Sequence, residues 1–225
     1  MTDADFFERE RPNGTLLPGT LASRRSVYPA FKRCIDVVGA VCLGLAALPF
    51  ILICAWIITR DGGSAFFRQE RVGRNGEVFH IWKLRTMCVD ADRRLADHLA
   101  KDAQACDEWS VTQKLRLDPR VTPIGRWLRK YSVDELPQLL NVVVGEMSLI
   151  GPRPMCPDQK ELYGGTAYYD LRPGMTGLWQ VNDRNACSFA ERAAYDTRYA
   201  EILSLRTDAS IVIKTFGVVF RGTGC

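Results

Sequence analysis

The sequence predicts a mainly α-helical α+β fold, in which one apolar membrane helix carries a water-facing domain of helices and a small β-hairpin. Three observations predict it. Val37 to Thr59 is a run of about 23 residues without a formal charge, enough helix for roughly 30 Å of hydrocarbon. Asn75-Gly76 separates two short strand-like runs, and Asn-Gly supplies the positive φ angles of a hairpin turn. Several later blocks have helical rather than alternating apolar spacing.

Bulk properties limit what else the chain holds. Its 225 residues suffice for one domain with a membrane element, not for a second large domain. A mean hydropathy of −0.10 excludes a polytopic membrane protein. The net charge of +4 suits a lipid surface, a phosphate or a nucleic acid and does not choose among them. None of the eight cysteines has CxxC spacing, which reads as a reduced, cytoplasm-facing protein. His80 and His98 are the only histidines and no HExxH occurs, so a tight transition-metal site is not expected, whereas oxygen-bound Mg²⁺ remains compatible.

Residues 1–28 mix charges with Pro12, Gly14, Pro18 and Gly19 and show no apolar period, which predicts a flexible arm. Residues 29–60 form the membrane segment. A signal peptide is a poor alternative, because its apolar core is about 7–15 residues long and near the N-terminus; a buried core helix is the other alternative. Arg24, Arg25, Lys32 and Arg33 precede the run and Arg60, Arg68 and Arg71 follow it, so both ends favour the cytoplasm. Pro49 sits mid-run, where it removes a backbone hydrogen bond and clashes with the carbonyl four residues back. A helix kinked there re-enters the face it left; a straight span that tolerates the proline is the bland alternative.

Residues 61–225 form the cytosolic domain. Ala65 to Gln69 and Val78 to Lys83 are the hairpin strands, and Ile81, Lys83 and Arg85 share a face if the second strand persists. Ala91 to Ala105 reads as a polar surface helix. Ile124 to Val144 has helical spacing broken near Ser132 to Pro137. Phe189 to Leu205 is amphipathic, with Phe189, Ala193, Tyr199 and Ile202 on its buried side. Ile211 to Phe220 is too short to span a bilayer and packs in the core or at the membrane interface.

The residues that bear chemistry centre on Asp134-Glu135. Ser132 and Glu135 have capping-box spacing, so the pair has a purely structural reading as a helix start. Pro137 argues against it, since it would fall at the fifth helical position and is favoured at the first. The carboxylates then occupy the turn before a helix, near free N–H groups that keep an aspartate ionised or hold a phosphate. Arg129 stands about a turn upstream, and Arg153 is stiffened by the prolines of Gly151-Pro152-Arg153-Pro154. Gly174 and Gly177 allow close backbone approach to a ligand or make ordinary turns. Arg184 suits a phosphate or a base, although a surface arginine is commoner.

Several blocks, in order, resemble the bacterial sugar transferase family of small monotopic phosphoglycosyl transferases. They are Lys32-Arg33-Cys34-Ile35-Asp36, Phe66 to Gly73, Lys83-Leu84-Arg85-Thr86-Met87, Asp118 to Gly125, Arg129 to Gln138, Asn141 to Pro154 and Pro173 to Arg184. The likeness covers roughly residues 30–220, and the ordered set is specific where a single block is not. It implies a re-entrant helix kinked near its middle under a cytosolic catalytic domain with interfacial C-terminal helices, facing the cytoplasm from the bacterial inner membrane. Many relatives carry Ser-Pro at the kink, where this chain has Leu48-Pro49.

The resemblance further implies transfer of a hexose 1-phosphate, galactose 1-phosphate first and glucose 1-phosphate second, from a UDP-hexose to undecaprenyl phosphate. Asp134 matches the nucleophile and a Mg²⁺ ligand, and Glu135 a partner that assists the acceptor or shapes the metal site. Lys83, Arg129 and Arg153 match phosphate-binding positions and Arg184 a position near the donor nucleotide. A homodimer stays open. Two rivals from other classes are an inert membrane adaptor that recruits later glycosyltransferases and a nucleic-acid or anionic-lipid binding module. The basic residues are interspersed with acids and form no stripe, so no nucleic-acid partner is expected.

Overall fold

The structure, a computed structural model, describes residues 28–112, 115–182 and 189–220. The predicted arm, apart from Tyr28, and Arg184 lie outside the described residues.

Helix α1, Tyr28–Thr59, contains Pro49 and is the one described helix long and apolar enough to cross a membrane. Its two ends are buried on the rest of the fold and its middle is not. Asp36 and Ala40, four residues apart on one face, are buried near its start, and Ile51, Cys54 and Ile58 share a face near its end. Between them, Val41, Leu43, Leu45, Leu48 and Phe50 are exposed apolar side chains.

The hairpin forms as the Asn-Gly turn predicts. Strand β1, Phe66–Val72, pairs antiparallel with β2, Val78–Leu84, in the register Val72 opposite Val78. Asn75 and Gly76 take φ of 59° and 79°. Phe79 and Ile81 alternate into the core with Leu139, Val142 and Met147.

The predicted polar helix is two: α2, Ala91–Lys101, and α3, Ala103–Thr112. Asp102 divides them, because its carboxylate accepts from Ala105 N (3.1 Å) and caps the second helix. Helix α4, Pro123–Lys130, starts where Thr122 Oγ1 accepts from Gly125 N (3.0 Å) with Pro123 in the first turn. A 3-10 turn, Val133–Gln138, then leads into α5, Leu139–Val144, which Gly145 ends at φ 100°.

A second small sheet was not legible in the sequence. Strand β3, Ser148–Ile150, pairs in parallel with β4, Gly174–Thr176. Helices α6, Ala167–Asp170, and α7, Leu178–Asn182, flank β4. Helices α8, Phe189–Glu201, and α9, Leu205–Phe220, close the chain. Tyr199 is buried, and Phe189, Ala193 and Ile202 pack on the core as their spacing predicts. Ile211 turns inward on α9 while Ile213 and Phe216 stay exposed.

A buried polar cluster joins α1 to β3 and α9. Asp36 accepts from Ser148 Oγ (2.7 Å) and Leu149 N (3.2 Å). Lys32 Nζ reaches both Asp36 (3.4 Å) and Asp208 (3.0 Å), and Tyr199 donates to Asp208 (2.7 Å). Buried charges are tolerable only when paired in this way.

Candidate active site

The chain is bent around Asp134-Glu135 by two features. Ser132 has φ 55°, uncommon for a residue other than glycine, and forms no side-chain cap, so the capping box is not made. Pro137 lies inside the 3-10 turn, two residues before α5, rather than at the first position of an α-helix. The expectation for Pro137 is corrected in detail: the acidic pair does precede a helix, but within a tighter turn.

Strand β2 supplies the first cation. Lys83 Nζ is 3.0 Å from Glu135 Oε1, both side chains being about one-fifth exposed. Arg153 Nη2 stands 3.8 Å from the same oxygen. Arg129 extends from α4, where its Nε donates to Thr86 Oγ1 (2.9 Å), and its charge acts on Asp134. Asp134, Glu135, Lys83, Arg129 and Arg153 are thus brought together from β2, α4, the 3-10 turn and the segment after β3.

Burial, the largest influence, raises the Asp134 carboxyl to about 6. Lys83 and Arg129 oppose that rise and the Glu135 charge adds to it. Helix N–H groups at that turn would keep the carboxylate ionised; desolvation outweighs them. At neutral pH most copies still carry the anion.

Two framework residues were missed. Asn141, buried in α5, accepts from Trp82 N (3.1 Å) and donates to His80 O (2.7 Å), locking β2 to the helix after the acidic pair. A polar residue inside the apolar run Leu139 to Val144 was the available signal. Thr86 is the second. Besides holding Arg129, its carbonyl accepts from Thr122 N (3.1 Å), and a side chain at Gly125 would collide with it.

Arg85 does not join Lys83. Strand β2 ends at Leu84, and Arg85 turns to Asp61, bonded through Nη2 at 2.5 Å and Nη1 at 2.8 Å. The glycines of the second sheet allow close backbone packing. Gly151 N donates to Thr176 O (2.9 Å), Gly174 N to Pro152 O (2.7 Å), and a Cβ at Gly174 or Gly177 would strike Gly151. That close fit sets where Arg153 emerges.

No three His, Cys, Asp or Glu side chains converge on a metal position among the described residues. The Asp134 carboxylate would suit a Mg²⁺ ion, which is ordinarily held through one or two carboxylates together with substrate phosphates.

Two adjacent carboxylates, one in contact with Lys83 and Arg153 and the other under the charges of Lys83 and Arg129, on a domain carrying a long apolar helix, make a candidate site suited to a phosphate ester. Residues 27–222 match the bacterial sugar transferase family. The exopolysaccharide production protein ExoY of Sinorhizobium fredii is 42% identical, over 96% of this chain and 97% of that protein. ExoY of Rhizobium meliloti is 44% identical over 92% and 93%. The undecaprenyl-phosphate galactose phosphotransferase of Salmonella typhimurium is 40% identical over 99% of this chain, which spans 47% of that longer protein. The chain belongs to the bacterial sugar transferase family and is a transferase.

Proposed function

We propose that the chain transfers galactose 1-phosphate from UDP-galactose to undecaprenyl phosphate as the first membrane step of exopolysaccharide synthesis. The names of the ExoY proteins and of the Salmonella relative support the pathway, the sugar and the lipid. The observation that carries the chemistry is the buried Asp134 carboxylate under the charges of Lys83 and Arg129, beside a Glu135 that gathers Lys83 and Arg153.

In the first step an Asp134 oxygen attacks the β-phosphorus of the donor. A bond forms from phosphorus to the carboxylate, the bond to the bridging oxygen breaks, and UMP leaves with that electron pair. In the second, an oxygen of undecaprenyl phosphate attacks the same phosphorus and frees Asp134, leaving the sugar on a lipid diphosphate. Lys83, Arg129 and Arg153 offset charge on the transferring group, where positioning and electrostatics dominate. Glu135, in contact with Lys83 and near Arg153, holds two of those cations on one oxygen. Asp134 would hold a Mg²⁺ ion, which would supply further charge neutralisation at the diphosphate.

The burial of α1 supports re-entry. Ala40 packs with Phe79 and Met147, and Ile58 with Leu84 and Leu128, so both ends of the helix rest on one domain. A helix that crossed the bilayer would leave one end on the far side. The exposed apolar stretch around Pro49 then dips into the inner membrane and returns at a kink, with the catalytic domain in the cytoplasm.

Membranes carrying the protein, given UDP-galactose and undecaprenyl phosphate, are expected to release UMP, and Asp134→Asn to abolish that release. Turnover surviving in Asp134→Asn would remove the nucleophile assignment. No release by the wild type with any UDP-hexose would favour the inert adaptor.

A further inference from the structure

Where α1 ends, a cavity of about 310 Å³ opens. Its lining combines the apolar Ile57, Met87 and Ile124 with the charged Arg60, Asp61 and Arg85. Arg85 is framework. Its Nε donates to Ser64 O, Nη1 to Asp61 and Met87 O, and Nη2 to Asp61 and Ile58 O. It therefore neutralises Asp61 and covers a terminal helix carbonyl whose partial negative charge would repel an anion.

Arg60 differs. It is exposed, its guanidinium lies 5.3 Å from the centre of the Trp56 ring, and among the described residues it forms no ion pair. Trp56 is 65% exposed beside the equally open Leu52 and Ile53, the setting of an aromatic ring at headgroup depth.

The cavity also shares a wall with the catalytic cluster. Thr122, on its lining, donates N and Oγ1 to Thr86 O (3.1 and 3.2 Å), and Thr86 Oγ1 holds Arg129. Beneath it, Ile58, Ile124 and Leu128 belong to one apolar cluster with Val133 and Leu136, the residues on either side of Asp134-Glu135.

We propose that this cavity captures the acceptor lipid. Arg60 pairs its phosphate at the membrane boundary, and Ile57, Met87 and Ile124 receive the isoprene units nearest the phosphate. The phosphate then passes along the Thr86 and Arg129 wall to Asp134. The inference rests on the transferase reading above. A single anionic head on a bulky hydrocarbon is the chemistry that matches both kinds of lining residue; a water-soluble anion would leave the apolar ones unused.

The full chain is placed in phosphatidylcholine nanodiscs, so that undecaprenyl phosphate is the only anionic lipid. UMP release is titrated with that lipid for wild type, Arg60→Gln, Arg60→Lys and Ile124→Trp, each normalised to its UMP burst without acceptor. The acceptor concentration for half-maximal turnover is expected to rise about fivefold in Arg60→Gln and to return toward wild type in Arg60→Lys. Ile124→Trp, whose indole fills the cavity, is expected to raise it at least as much. An unchanged acceptor requirement in Arg60→Gln and Ile124→Trp overturns the proposal. So does a defect that appears only after phosphatidylglycerol is added, which would mark a general anionic-lipid dock. Native mass spectrometry of undecaprenyl phosphate retained by the same proteins reads the cavity without turnover: equal retention overturns it even if the wild type releases no UMP.

Discussion

Lys83 Nζ stands 3.0 Å from Glu135 Oε1, and this contact between the hairpin and the 3-10 turn fixes the charge around Asp134. Asp134 is desolvated by the fold that positions it. Lys83 and Arg129 keep its anion accessible at neutral pH against that burial.

The acid limb of UMP release is therefore expected to have its midpoint near 6, the value to which burial pushes Asp134. Lys83→Met removes a charge that lowers it, so the midpoint moves up. Glu135→Gln removes one that raises it, so the midpoint of whatever rate remains moves down. Stopped-flow UMP bursts across the pH range read both shifts, and a wild-type profile flat through pH 6 would contradict the account.

Stability should show the same strain with a defined sign. The folded Asp134 sits near 6 against an ordinary 3.8. Its contribution is complete below 3.8, where both states are protonated, and is lost as pH rises through about 6. Asp134→Asn is thus expected to raise Tm at pH 8, by at most about 3 kcal/mol of stability, and to match wild type near pH 4. Thermal melts in detergent at both pH values decide it.

Asn141→Leu leaves Trp82 N and His80 O without their side-chain partner at a buried joint. A loss of about 2–4 kcal/mol is expected, together with a fall in kcat because β2 carries Lys83. Denaturant midpoints and single-turnover rates measure the two effects separately. Wild-type stability in Asn141→Leu would show that the hairpin is held by its apolar face alone.

Gly174→Ala drives a methyl group into the Gly151 backbone and displaces the segment bearing Arg153. A rise of tenfold or more in KM for the UDP-sugar, or loss of folded protein, is expected. Gly217→Ala, on α9 with open space around it, is the neutral control. Equal KM values in the two variants would detach Arg153 placement from the second sheet.

If α1 re-enters, Cys34 and a cysteine placed by Thr59→Cys, each in an otherwise cysteine-free chain, are labelled from the same face of sealed vesicles. Cys34 is exposed, so its reactivity is not limited by packing. Labelling from opposite faces would establish a crossing helix.

The hairpin, the apolar helix and the acidic pair were legible because each depends on neighbours in sequence. Asn75-Gly76 codes its own turn, and the uncharged run needs no partner to be recognised. The parallel pairing of β3 with β4 was not legible. Each strand is three residues long, they are separated by more than twenty residues, and they meet through backbone atoms that carry no side-chain signature. Asp36 illustrates the intermediate case. Its motif was visible as a resemblance, but its bonds to Ser148 and Leu149 required the fold.

The sequence by itself determined the family, the long apolar helix and which charged residues to expect near a phosphate, since composition and ordered motifs survive without coordinates. Only the tertiary structure decided that Lys83 reaches Glu135 while Arg85, two residues on, is turned away to Asp61. The same holds for Asp134, raised to about 6 although its turn was expected to keep it ionised. Burial and long-range charge are properties of what packs around a residue, and local sequence does not encode them.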